Sequence, residues 1–256
     1  MAVWGKIIGG MAGMAVGGPF GALLGAAAGH AVDNMRDEEH SASSVRRGGF
    51  GQAFGAAAEQ ARRSAFSLGV VVLSAKMAKA DGHVSRAEID AFKRVFNVPP
   101  GEMGRVGHLF DLARRTPEGY ELYARQLATL FAGRPEMLEE LLDALFIIAL
   151  ADGPLNDAER RFLERVATIF GMPDKDFQRT RASHSGDEGD PYLVLGVPAA
   201  STNEEVKAAY RRLIRENHPD TMVAKGLPEE FIAVANGKMA AINAAFDRVS
   251  RERGMK

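Results

Sequence analysis

The chain has 256 residues, 46% apolar and 25% charged, with a formal net charge of −1. That length allows one large domain or two small ones with added segments, and that charge balance supplies no global positive field for nucleic acid. It contains no cysteine, which excludes disulfides, thiolate metal sites and cysteine nucleophiles.

The first element is marked by glycine. Nine of the 28 glycines fall between Gly5 and Gly29, and Gly5, Gly9, Gly13, Gly17, Gly21, Gly25 and Gly29 stand at every fourth position. Ile7 to Val32 carries no formal charge. As a helix this stretch would run about 39 Å, enough to cross a hydrocarbon core of about 30 Å with some tilt. It is too long for a signal h-region, and Trp4 would sit at the interface. In lipid a glycine-rich helix keeps its backbone bonds, and consecutive GxxxG pairs give a groove through which two helices approach closely. The spacing predicts a membrane anchor over residues 1–32 that forms a homodimer through Gly9, Gly13, Gly17, Gly21 and Gly25. Pro19 kinks this helix at mid-length; a hairpin turning at Gly17 to Pro19 is the alternative, although each arm is then too short to span. Lys6 alone precedes the segment, whereas Arg36, Arg46 and Arg47 follow it, so the remainder is expected on the cytoplasmic side.

Residues 33–55 are polar, then rich in glycine, and read as a linker. Residues 56–181 are helical in period throughout, as in Leu138, Leu141, Leu142, Leu145, Phe146 and Ile148, with turn signals between segments and no alternating strand pattern. Six or seven helices in one bundle are expected. Within them "AKADGHVSRAE" (78–88) and "ALADGPLNDAE" (149–159) match in register at Ala, Ala, Asp, Gly, Ala and Glu. In each copy Asp-Gly suits a helix end, with Gly at a left-handed C′ position. Ser85 or Asn156 then has capping-box spacing to Glu88 or Glu159. One reading is a pair of helical hairpins whose carboxylates satisfy turn backbone. The other is that Asp81, Glu88, Asp152 and Glu159 converge on a divalent cation such as Ca²⁺ or Mg²⁺, for which oxygen ligands are suited. These paired hairpins resemble the TerB-like family, whose domains are helical sensing or interaction modules with an acidic site.

Residues 182–189, "ASHSGDEG", read as a second linker in which His184 is solvated. His30, His40, His83 and His108 show no mutual ligand spacing.

Residues 190–256 form a third, helical unit. After "PYLVLGV", Ser201 with Glu204, or Thr202 with Glu205, has capping-box spacing and opens a helix. Val206, Tyr210 and Leu213 share one face, and Lys207, Arg211 and Arg215, with Arg212 nearby, lie opposite. The helix must stop at His218, since the residue before Pro219 is pushed out of the α region. His218, Pro219 and Asp220 therefore stand in an exposed loop. A further helix is expected from Pro228, a good N1 residue, with Phe231, Val234, Ile242, Phe246 and Val249 as one apolar stripe.

"YLVLGV", "VKAAYRRLIRENHPD" and "INAAF", in that order, resemble the J domain, by which DnaJ-type co-chaperones engage DnaK-class ATPases. Two departures stand out: Thr221 occupies a position where a basic residue commonly follows the tripeptide, and "TMVAKGLPEE" is longer than the usual loop. The resemblance implies that Lys207, Arg211, Arg212 and Arg215 dock on an acidic patch of the ATPase, and that His218 and Asp220, with Pro219, act at its interdomain contact to release hydrolysis. No phosphate-binding GxxxxGK[ST] loop occurs, and no cofactor is expected; the chemistry belongs to the partner.

Taken together the three parts resemble the DjlA-like family of membrane-anchored DnaJ-type co-chaperones of Gram-negative bacteria. That implies an all-α chain with a single inner-membrane helix, a short outer N-terminus and two cytoplasmic domains, the TerB-like one choosing the client or sensing a signal. The rival expectation is a membrane scaffold or divalent-metal-responsive signalling protein in which the J domain is accessory.

Overall fold

The structure, a computed structural model, describes residues 49–80, 85–96, 103–115, 119–186 and 189–255. The expected membrane helix, with Gly9, Gly13, Gly17, Gly21 and Gly25, lies outside the described residues, as does Asp81. Among the described residues all regular structure is helical, and no helix is long and apolar enough to cross a membrane.

Seven helices build the middle of the chain: α1 (Gly49–Ala80), α2 (Arg86–Phe96), α3 (Met103–Ala113), α4 (Tyr120–Leu130), α5 (Pro135–Ala149), α6 (Asp157–Ile169) and α7 (Asp174–Ser183). α1 and α5 are its axis. Both are buried on nearly every side over long stretches, as helices enclosed by others are. From Ser64 to Ala78 every α1 residue is buried, and α5 buries Leu141, Leu142, Leu145 and Phe146 completely. α1 contacts α3, α4, α5 and α6, while α5 also contacts α2 and α6. α1 starts at Gly49, before the expected unit boundary at Ala56, and α7 runs into the segment expected to be a linker, ending at Ser183.

The second repeat departs from one expectation. α5 ends at Ala149 with Leu150 as its C-cap, so Gly153 is not at C′. It lies in the following turn at φ 150°, a conformation that suits glycine.

The C-terminal unit is α8 (Pro191–Leu195), α9 (Asn203–Glu216), α10 (Pro219–Ala224), a 3₁₀ turn (Glu229–Phe231) and α11 (Ile232–Glu252). Thr202 and Glu205 form the capping box of α9: the Glu205 N–H donates to Thr202 Oγ1 at 3.2 Å, and the Thr202 N–H to Glu205 Oε2 at 2.8 Å. α9 stops at Glu216, and Asn217 donates through Nδ2 to the Leu213 carbonyl at 2.8 Å. The last helix starts at Ile232, later than expected, because Pro228 is the N-cap of the 3₁₀ turn.

The apolar stripe of this last segment serves two cores. Ile242 and Val249 join Val194, Leu195, Val206 and Leu213 inside the C-terminal unit. Phe231, Val234 and Ala235, with Met222 and Leu227, belong to the core of the middle helices. Phe231 is fully buried, its ring 4.9 Å from that of Phe66 in α1 at 80°, an edge-to-face pair.

Candidate functional site

His218, Pro219 and Asp220 form the first turn of a helix and not a free loop. His218 takes the extended conformation that a following proline imposes, φ −62° and ψ 132°, and caps α10, with Pro219 at N1. Its Nδ1 accepts from the Asp220 N–H at 3.2 Å. With Nδ1 as acceptor, the neutral ring carries its proton on Nε2. The His218 side chain is exposed and that of Asp220 is 94% exposed. Both polar ends therefore face solvent on a short, rigid turn.

Arg211, Arg212 and Arg215 are exposed along α9 and Lys207 is half-buried, while Val206, Ala209 and Leu213 are buried on the inner side. Tyr210 stacks on Phe246 at 4.0 Å and 12°, and its hydroxyl donates to Asn243 at 3.0 Å. This pins α9 against α11. The face ends three residues before His218; Arg212 lies 3.9 Å from Glu216, and the three arginines remain exposed, as a docking surface for an acidic partner requires.

Arg253 closes the unit, and no sequence motif marked it. Its Nε donates to the Tyr192 hydroxyl at 2.9 Å, Nη1 to the Ser201 carbonyl at 2.6 Å and Nη2 to the Ala199 carbonyl at 2.7 Å. The guanidinium also lies 5.0 Å from the Tyr192 ring centroid. One side chain thus ties the end of α11 to the loop that leads into α9.

The acidic pairs of the repeat are occupied locally. The Ser85 N–H donates to Glu88 Oε2 at 2.7 Å and the Glu88 N–H to Ser85 Oγ at 3.0 Å. Asn156 and Glu159 form the same box, with bonds of 2.9 and 3.0 Å. Both glutamates are buried, whereas Asp152 is exposed. Among the described residues no group of three or more His, Asp or Glu side chains is placed to hold a metal ion.

His184 is not a solvated linker residue. It stacks on Phe146 at 5.4 Å and 10°, and its Nε2 is 2.8 Å from Asp143 Oδ1. Asp143 belongs to a buried charge cluster that joins the two units. Lys238 of α11 places Nζ 2.9 Å from Glu140 Oε1, 3.0 Å from Asp143 Oδ2 and 3.6 Å from Glu139 Oε2. Burial opposes the charge on Lys238, but the three carboxylates outweigh it and hold the amine protonated far above its ordinary range. Burial likewise pushes Asp143 up, yet Lys238 and His184 bring it below its usual value; at Glu140 burial wins and the carboxyl is raised.

A second seam lies behind α10. Arg134 donates through Nη1 and Nη2 to the two carboxylate oxygens of Glu59, at 2.9 and 3.1 Å, and through Nη1 to the Lys225 carbonyl at 3.1 Å. The bond from Arg134 holds the Glu59 carboxyl below its ordinary 4.5. Lys225 Nζ lies 3.2 Å from Glu136.

Three family models match along the chain: the transmembrane domain of co-chaperone DjlA over residues 1–53, tellurite resistance protein TerB over 67–182 and the DnaJ domain over 190–253. Curated relatives align along most or all of the chain. The co-chaperone protein DjlA of Photobacterium profundum is 32% identical over 99% of this chain and 100% of its own length. That of Shewanella oneidensis is 33% identical over 82% and 87%, and that of Coxiella burnetii 29% over 98% and 98%. No solved structure matches.

Proposed function

Because this chain belongs to the DjlA family of co-chaperones, we propose that it recruits a DnaK-class ATPase to a membrane and stimulates ATP hydrolysis there. The observation that carries the reading is the exposed His218–Pro219–Asp220 turn at the end of an open basic helix face. Arg211, Arg212 and Arg215, with Lys207, steer an acidic surface of the ATPase into register. Pro219 and the Asp220 N–H to His218 Nδ1 bond hold the turn stiff. The His218 Nε2–H and the Asp220 carboxylate then offer one donor and one acceptor to the partner. Hydrolysis takes place in the ATPase; this chain supplies contacts that favour the hydrolysing conformation.

The TerB-like unit, residues 56–181, chooses the client or senses a signal. The N-terminal segment crosses the bacterial inner membrane once and pairs with a second copy through its glycine stripe, with both helical units in the cytoplasm. The arginines after the segment and the cytosolic site of DnaK-class ATPases support that orientation. Co-purification of the full chain from cells tests the reading. The wild-type chain recovers a DnaK-class ATPase and Asp220→Asn loses it. Equal recovery by both, or recovery by neither, overturns the proposal.

A further inference from the structure

The segment that follows the His218–Asp220 turn is built into the TerB-like unit. α10 is only six residues long, and everything just beyond it is anchored elsewhere. The Lys225 carbonyl accepts from Arg134, Leu227 and Phe231 are fully buried in the core around Phe66, and the Lys225 amine pairs with Glu136. Gly226, at φ 108°, fits where it does for two reasons: its backbone conformation disfavours side chains, and a Cβ there would strike the Glu59 carboxylate and come within 3.1 Å of Arg134 Nη1. Lys238 then fixes α11 to α5, two turns after the aromatic contact. Arg211, Arg212, Arg215, His218 and Asp220 stay exposed.

We propose that the TerB-like unit positions the J domain: the clamp of Glu59 and Arg134 on Lys225 and Gly226 holds α10 in the orientation that the ATPase meets. Arg134 is a positioning residue. It touches no partner, and acts through the carbonyl five residues after Asp220. A J domain held this way keeps its docking face while the presentation of His218 and Asp220 depends on the neighbouring unit. Any event that shifts α1 or the start of α5 reaches the turn through these contacts.

The inference rests on the co-chaperone reading for its activity arm only. The test uses the full chain in detergent, with Arg134→Glu, which sets a carboxylate against Glu59 and Glu136, and Arg134→Lys as the conservative variant. Amide exchange over residues 219–231 reports docking, and single-turnover ATP hydrolysis by a DnaK-class ATPase reports function. In Arg134→Glu, exchange should rise about tenfold, consistent with local opening of a fixed segment. Maximal stimulation should fall about fivefold while the half-saturating concentration moves less than about twofold, since the basic docking face is intact. Arg134→Lys should recover at least about half of the maximal stimulation. Unchanged exchange overturns the clamp whatever the activity. Faster exchange with full stimulation overturns the positioning role and leaves the co-chaperone reading standing. A wild-type chain that never stimulates defeats the functional reading and the positioning role with it; the exchange arm then still decides the docking.

Discussion

Replacing Lys238 with Met tests how the two units are joined. The Lys238 side chain is 9% exposed, Glu140 1% and Asp143 0%, and the amine lies within 3.0 Å of both carboxylates. Methionine fills the same volume but leaves two buried acids without their cation. Removing one partner of a buried ion pair costs about 3–5 kcal/mol. His184 still contacts Asp143 Oδ1 at 2.8 Å, so the lower end, about 3 kcal/mol, is expected. Urea unfolding of the full chain, followed by far-ultraviolet circular dichroism, measures it. The penalty should shrink as pH falls. A carboxyl raised by burial, as Glu140 is, takes up a proton on folding, so acid favours the folded state. Loss of Lys238 removes the cation that opposes this rise, so the difference from wild type should narrow as pH falls toward the raised range of Glu140. Glu140→Gln added to Lys238→Met should recover about 1–2 kcal/mol. A cost below about 1 kcal/mol, with no recovery in the double variant, would refute the cluster as the join.

Arg253→Ala should lower the stability of the C-terminal unit by about 1–3 kcal/mol, seen as faster amide exchange across residues 191–203, because two backbone carbonyls and the Tyr192 hydroxyl lose their donor. Glu59 titrates below 4.5 while paired with Arg134, so its contribution to the clamp is complete above that value and is lost as pH falls through the folded pKa; protection of residues 219–231 should drop in that acid range, and Arg134→Ala should remove the dependence. Leu at Gly13, Gly17 and Gly21 together should abolish self-association of the anchor in a membrane, measured by cross-linking of the full chain; unchanged association would defeat the glycine-stripe reading.

Much of the C-terminal unit was legible because its signals are local. A capping box spans four residues, a proline restricts the residue before it, and the wheel that separates Val206 and Leu213 from Arg211 and Arg215 needs one helix only. The paired Ser85–Glu88 and Asn156–Glu159 boxes were readable for the same reason. What was hidden depends on distant partners. The stripe from Phe231 to Val249 reads as one apolar face, and nothing in its spacing says that Phe231 and Val234 turn to a different core from Ile242 and Val249. His184 sits in a polar, glycine-rich stretch, so its place on Phe146 could not be seen. One signal was available: Glu140 and Asp143 lie three apart in "LEELLDALFIIA" and so share a face, among the leucines that mark the helix as core. Two carboxylates there call for a buried cation, although its source, 98 residues on from Glu140, has no local trace.

The most direct test of the account is single-turnover ATP hydrolysis by a DnaK-class ATPase in the presence of the full chain, wild type against His218→Gln. His218 is exposed and its ring makes one backbone contact, so the substitution leaves the fold intact while replacing the imidazole with a flexible amide that does not hold a donor in the same place. The account predicts stimulation by the wild-type chain and its loss in His218→Gln. Stimulation that survives the substitution, or none from the wild-type chain, would contradict it.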